Sequence, residues 1–129
     1  MSIKVLLIDD EEDIIDLLSY NFKKHGYLIE TAMNGFDGFD KVIEFKPDII
    51  ISDILMPKMS GIKMCKALKE DAEHKHIPII FLSASNDDYL ALSSLDAGGA
   101  RYISKPIHIP LLLRLIKDEL SSAVVKLNL

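Results

Sequence analysis

The sequence predicts an α/β fold, a doubly wound parallel sheet of five strands with five helices. Three observations carry that prediction. Short apolar runs rich in β-branched residues recur five times, each followed by a stretch with apolar residues at helical spacing. The clearest run, Asp48 to Asp53, has no polar alternation, as expected of a strand covered on both faces. No linker, repeat or low-complexity segment interrupts the pattern, so the 129 residues read as one domain spanning 1–129.

The elements follow in order. Ile3 to Ile8 is a buried strand, and Asp9 to Asp13 then places negative charge at a helix start, where the macrodipole favours it. Ile14, Leu17, Leu18 and Phe22 form that helix's apolar stripe, and Gly26 stops it after His25. Leu28 to Ala32 is the second strand. Asn34-Gly35 is a turn, and Phe36, Phe39, Val42 and Ile43 line a second helix that ends before Pro47. After the strand ending at Asp53, a loop with Pro57 and Gly61 leads to a third helix through Ile62, Cys65 and Leu68. Pro78 opens the fourth strand, Ile79 to Leu82. Asp87-Asp88 begins a fourth helix, which Gly98-Gly99 closes. Tyr102 to Ser104 is the fifth strand, and Pro110 fits the first turn of a last helix reaching about Val125.

Bulk properties narrow the function. A net charge of −5 and a pI near 5.3 argue against direct nucleic-acid binding, which needs a concentrated basic face. No apolar run approaches the ~20 residues of a membrane span, and the first residues lack a signal-peptide layout. Cys65 is alone, which suits a reducing cytosol, so a cytoplasmic location with no membrane partner is expected.

In a doubly wound sheet, ligands bind beyond the carboxyl ends of the strands. Asp9, Asp10, Asp53, Ser83 and Lys105 all fall there. Taken singly, each has a plain reading: a cap for an Asp, a backbone-bonded hydroxyl for Ser83, a solvated surface amine for Lys105. Together they point elsewhere. Two carboxylates ~4 Å apart repel by roughly 4 kcal/mol at an effective dielectric of about 20, so a cation, a proton or a lysine must sit among them. Oxygen ligands after the first and third strands suit a hard divalent ion, Mg²⁺ or Mn²⁺. Its open positions would take a phosphoryl group, with Asp53 as the covalent nucleophile and Ser83 donating to a phosphoryl oxygen. Neither GxxxxGK[ST] nor GxGxxG occurs, which argues against a bound nucleotide. Lys105-Pro106 directly after a strand is a plausible cis peptide that would turn the amine inward. Tyr102 is most simply an amphipathic edge aromatic.

This constellation resembles the receiver domain of two-component response regulators, over essentially the whole chain. The matching elements are Asp9-Asp10, Asp53-Ile54-Leu55-Met56-Pro57 with Gly61, Ser83-Ala84, and Tyr102-Ile103-Ser104-Lys105-Pro106. The resemblance implies a flavodoxin-like sheet and phosphoryl transfer to Asp53 from a sensor histidine kinase or a histidine phosphotransfer protein. It implies Mg²⁺ on Asp10, Asp53 and the Leu55 carbonyl, with Asp9 acting through water. Lys105 would contact the phosphoryl oxygens, Ser83 and Tyr102 would be the switch pair, and Pro106 would follow a cis bond. Such a module catalyses its own phosphorylation and dephosphorylation and has no separate substrate.

Departures from the family's commonest pattern carry expectations too. Ser83 stands for a frequent Thr and keeps the hydroxyl. Gly98-Gly99-Ala100 implies a more flexible loop before strand five. Leu55 and Ser85 flank the phosphoryl site in this family, and an apolar Leu55 cannot orient water, so slow self-dephosphorylation is expected. The resemblance also places output, a protein target or self-dimer, on helix four, strand five and helix five. There Leu111 and Leu115 lie toward the flank of the last helix while Leu112, Leu113, Ile116 and Leu120 face the core. The His74-Lys75-His76 stretch reads as a solvated loop.

Two other function classes remain to be weighed. An aspartyl-phosphate phosphatase would carry Asp-x-Asp, but Leu55 follows Asp53 by two, and 129 residues leave no room for a cap domain. A phosphorylation-independent interaction domain would tolerate loss of Asp10, Asp53 or Lys105, and all three are present.

Overall fold

A computed structural model describes residues 2–84 and 87–127, with side chains as far as 122. Ser85 lies outside the described residues. The strands are β1 (Lys4–Ile8), β2 (Leu28–Ala32), β3 (Ile49–Asp53), β4 (Ile79–Ser83) and β5 (Arg101–Ser104). The helices are α1 (Glu12–Lys24), α2 (Gly35–Phe45), α3 (Gly61–Lys69), α4 (Asp88–Asp96) and α5 (Ile109–Leu127). All strand pairs are parallel, in the order β2-β1-β3-β4-β5. The sheet is therefore doubly wound and flavodoxin-like, and its order reverses between β1 and β3.

Burial explains why the central strands read as unbroken apolar runs. Every residue of β3 and β4 is buried, whereas the edge strands β2 and β5 are mostly half-exposed. Side chains alternate between two cores. Val5, Leu7, Ile49, Ile51, Ile80 and Leu82 pack with Leu18, Phe22, Leu112 and Ile116 of α1 and α5. Leu6, Ile8, Ile50, Ile79 and Phe81 pack with Val42, Met64, Leu68 and Ala97 on the other face. Truncating one such residue to Ala costs about 2–5 kcal/mol. Leu112 and Ile116 form the buried stripe of α5, while Leu113, Leu115 and Leu120 reach its margin half-buried.

Gly61 holds the loop after β3 close. Gly61 N–H donates to the Ile54 carbonyl at 2.9 Å, and a Cβ there would run into the Asp53 carbonyl oxygen. The Gly98-Gly99 pair closes α4, as the sequence predicts. Gly98 (φ +111°) donates to the Leu95 carbonyl and Gly99 to that of Ser94, a left-handed stop to α4. A Cβ on Gly99 would also run into the Phe81 ring.

His74 corrects the reading of a solvated loop. It is buried, with Nδ1 2.9 Å from Asp71 Oδ2, because the turn after α3 folds back and its amide donates to the Asp71 carbonyl.

Candidate functional site

Three loops converge at the carboxyl edge of β1, β3 and β5. Asp9 follows β1, Asp53 is the last residue of β3, and Lys105 follows β5. Because β1 and β3 are neighbours at the reversal of strand order, Asp9 and Asp53 open into the same crevice. Lys105 reaches it from β5, two strands away from β3, on a long side chain. Its backbone N–H donates to the Ser83 carbonyl at 2.7 Å, and the Lys105-Pro106 peptide is cis.

The Lys105 ammonium is shared by three carboxylates. Nζ donates to Asp9 Oδ2 at 3.0 Å, to Glu11 Oε1 at 3.0 Å and to Asp53 Oδ2 at 3.4 Å. The three side chains of Lys105, Asp9 and Asp53 are almost wholly withdrawn from solvent, while Glu11 stands at the exposed rim. Backbone amides fix the remaining carboxylate oxygens. Asp9 Oδ1 accepts from Glu11 N–H at 2.9 Å, and Asp53 Oδ1 accepts from Ile54 N–H at 2.7 Å. Asp9 is therefore not the expected helix cap: Glu11 holds the N-cap position, and Asp9 accepts the amide of that residue while pairing with Lys105. Among the described residues, Asp53 Oδ2 has only the long contact to Lys105, which makes it the less committed oxygen of that carboxylate.

Burial pushes the Asp53 carboxyl above the ordinary carboxylate range, and the neighbouring Asp9 charge pushes the same way. Lys105 and the Ile54 amide pull it back without cancelling the rise. For Lys105, burial works against the charge. Hydrogen bonds to Asp9 and Glu11 and the fields of Asp53 and Asp9 outweigh it, so the amine's pKa lies above that of an ordinary lysine. It stays charged throughout the physiological range.

The donor set fits a hard cation. One carboxylate oxygen from each of Asp9, Asp10 and Asp53 lies within 4.8 Å of the others, close to the ~4.2 Å that separates opposite ligands of a six-coordinate Mg²⁺. Asp10 is exposed, on the solvent side of this cluster. Leu55 follows in the β3–α3 loop with an exposed side chain. Ser83 ends β4, buried, one register position beyond the Asp53–Leu82 pair. Tyr102 pairs in register with Phe81 and packs half-buried against the core under α4.

Glu11 is the site residue that sequence reasoning passed over. It stood in an acidic run already explained by the α1 macrodipole, and only the convergence of β1 and β5 reveals its bond to Lys105.

Residues 5–117 match the family model described as "Response regulator receiver domain". The alkaline phosphatase synthesis transcriptional regulatory protein PhoP of Bacillus subtilis is 37% identical over 106 residues, covering 82% of this chain and 43% of that protein. The chain thus spans less than half the length of this curated relative. Among solved structures, the signal receiver domain of a signal transduction histidine kinase from Syntrophus aciditrophicus is 30% identical with a TM-score of 0.87, covering 94% of this chain and 92% of that one. A CheY-like response regulator receiver domain protein from Methanospirillum hungatei, 24% identical, shares the fold with a TM-score of 0.91 over 98% of this chain and 99% of that one.

Proposed function

Because this chain belongs to the response regulator receiver domain family, we propose that Asp53 is its phosphoacceptor, charged by a sensor histidine kinase or a histidine phosphotransfer protein. Residues 1–129 act as one receiver domain, a signalling module rather than a turnover enzyme. The observation that carries the reading is the convergence of Asp9, Asp53 and Lys105 from three strand ends, with Asp10 completing a carboxylate cluster.

Asp53 Oδ2 attacks the phosphorus, the O–P bond forms, the P–N bond of the donor breaks, and the donor imidazole, already protonated on its other ring nitrogen, leaves as the neutral ring. Such transfer depends on alignment and on neutralising the equatorial oxygens more than on acid–base work. The Ile54 amide holds Oδ1 and so aims Oδ2 outward. Lys105 supplies positive charge to the phosphoryl oxygens at a site that excludes most water. Asp10, Asp53 and the Leu55 carbonyl would hold Mg²⁺ or Mn²⁺, with Asp9 acting through water. A bound ion of this kind adds charge neutralisation and a template for the incoming group.

Phosphorylation then biases a pre-existing equilibrium in which Ser83 donates to a phosphoryl oxygen and Tyr102 turns inward. The output is read on α4, β5 and α5, where Leu92, Leu95, Tyr89 and Leu111 are exposed and offer apolar area to a protein target or a second copy. The exposed Leu55 cannot orient an attacking water, so the phosphoryl group is long-lived. The domain works in the cytoplasm without binding nucleic acid or membrane; among the described residues no helix is long and apolar enough to cross a membrane.

Incubation with acetyl phosphate and Mg²⁺, read by intact mass, should add one phosphoryl group to the wild type and none to Asp53→Asn. Full labelling of that variant would refute the assignment.

A further inference from the structure

Resting on that reading, we propose that Glu11 is a positioning residue that restrains Lys105 and thereby weakens capture of the phosphoryl group. An ammonium has three protons, and all three are directed at carboxylates in the unphosphorylated protein. The bond to Asp53 is the longest of the three. A phosphoryl oxygen on Asp53 must therefore draw Lys105 away from partners that already hold it. Asp9 is buried and pinned by the Glu11 amide, so its bond to Lys105 is the fixed one. Glu11 is different: its side chain is 56% exposed and its bond to Lys105 can be exchanged for water.

The local backbone shows that the Glu11 side chain has no competing structural duty. Glu11 occupies the N-cap position of α1, yet its side chain makes no capping hydrogen bond. The cap functions are carried by its backbone instead. Its carbonyl accepts from the Ile14 and Ile15 amides, and its N–H is taken up by Asp9. Replacing the carboxylate therefore leaves the turn intact, and the side chain's remaining role is toward the lysine. Capture of the phosphoryl group and retention by Glu11 compete for one amine, and removing one competitor strengthens the other.

A double-mutant cycle on beryllofluoride binding, followed by amide NMR at saturating Mg²⁺, tests this. Glu11→Gln should bind this phosphoryl mimic roughly threefold to fivefold more tightly than wild type, the upper scale of one exposed ion pair. In a Lys105→Met background the same substitution should change affinity less than about twofold. Equal or weaker binding by Glu11→Gln overturns the proposal. So does an undiminished gain in the Lys105→Met background, since Glu11 would then act through its field on the anion and not through the lysine. Failure of the wild type to bind beryllofluoride, together with no acetyl phosphate labelling, would instead remove the receiver reading on which the proposal stands.

Discussion

The two ends of the sheet use the same charged residue types and arrive at opposite balances. At the amino end, Lys4, Asp48, Lys69 and Asp71 meet separate partners. The Lys4 backbone N–H donates to Asp48 Oδ2 at 2.8 Å, and its ammonium donates to the Phe45 carbonyl at 3.2 Å, lying 5.6 Å from the Phe45 ring centroid. Lys69 closes the turn after α3 by donating to the carbonyls of Lys75 and Ile77, and His74 pairs with Asp71. These contacts satisfy backbone carbonyls and fasten loops. At the carboxyl end, one ammonium serves three carboxylates and Asp10 stands beside them. Stability there has been left incomplete, and the deficit is what a cation and a phosphoryl group would fill.

Lys105→Met should show the largest contrast between the two ends. In EDTA, urea unfolding should reveal a loss of about 2–3 kcal/mol, because two buried carboxylates lose their counter-charge; the wet Glu11 rim keeps it below the full cost of breaking a buried pair. Lys4→Met should cost under about 1 kcal/mol. Equal losses would end the distinction between the two ends.

Mg²⁺ should sharpen it next. At one hundred times its dissociation constant, the ion should stabilise the wild type by about 2.7 kcal/mol, and Asp10→Asn should remove most of that gain. Calorimetry with and without the ion would decide, and a Tm unmoved by Mg²⁺ would empty the cluster of its assigned role.

A smaller effect is expected at the other end. His74→Ala should cost about 1–2 kcal/mol through loss of a buried hydrogen-bonded ring, while labelling of Asp53 by acetyl phosphate stays within about twofold of wild type. A tenfold fall in labelling would mean that the two ends are coupled.

The subtlest expectation concerns pH. The Asp53 carboxyl is raised above its ordinary value by burial and by Asp9, so the folded state holds this proton more tightly than the unfolded chain does. Its contribution to stability is greatest below the unfolded carboxylate pKa of about 3.8 and falls as pH rises through the higher folded value. In metal-free buffer, Asp53→Asn should therefore gain stability relative to wild type as pH climbs from about 3.5 toward neutrality, both folds being compared by urea unfolding. Lys105 does not blur this window. Its pKa is raised, so the stability it contributes is complete below its unfolded value of about 10.5 and is lost only as pH rises beyond that.

Much of this was legible from local chemistry. The unbroken apolar stretches of β3 and β4 announced strands covered on both faces, and each is fully buried. Asp53 and Ser83 stood at visible strand ends because an apolar run stops where the core stops. His74 was not legible, since nothing in His74-Lys75-His76 tells which imidazole the turn carries inward. The glycines before β5 were legible as the stop to α4, but the close approach of Gly99 to Phe81 was not.

What the amino-acid order determined by itself was periodic: where chain segments must be extended or helical, which faces must be covered, and which polar groups are stranded at segment ends. Those follow from repeats of two and of three to four residues, which local physics sets. Only the tertiary structure decided that β1 and β3 lie side by side with β5 at the edge, and hence that Asp9, Glu11 and Asp53 meet Lys105 from 52 to 96 residues away in the chain. Electrostatic partnership depends on distance in space and on withdrawal from water, and neither quantity exists until the sheet has closed its order.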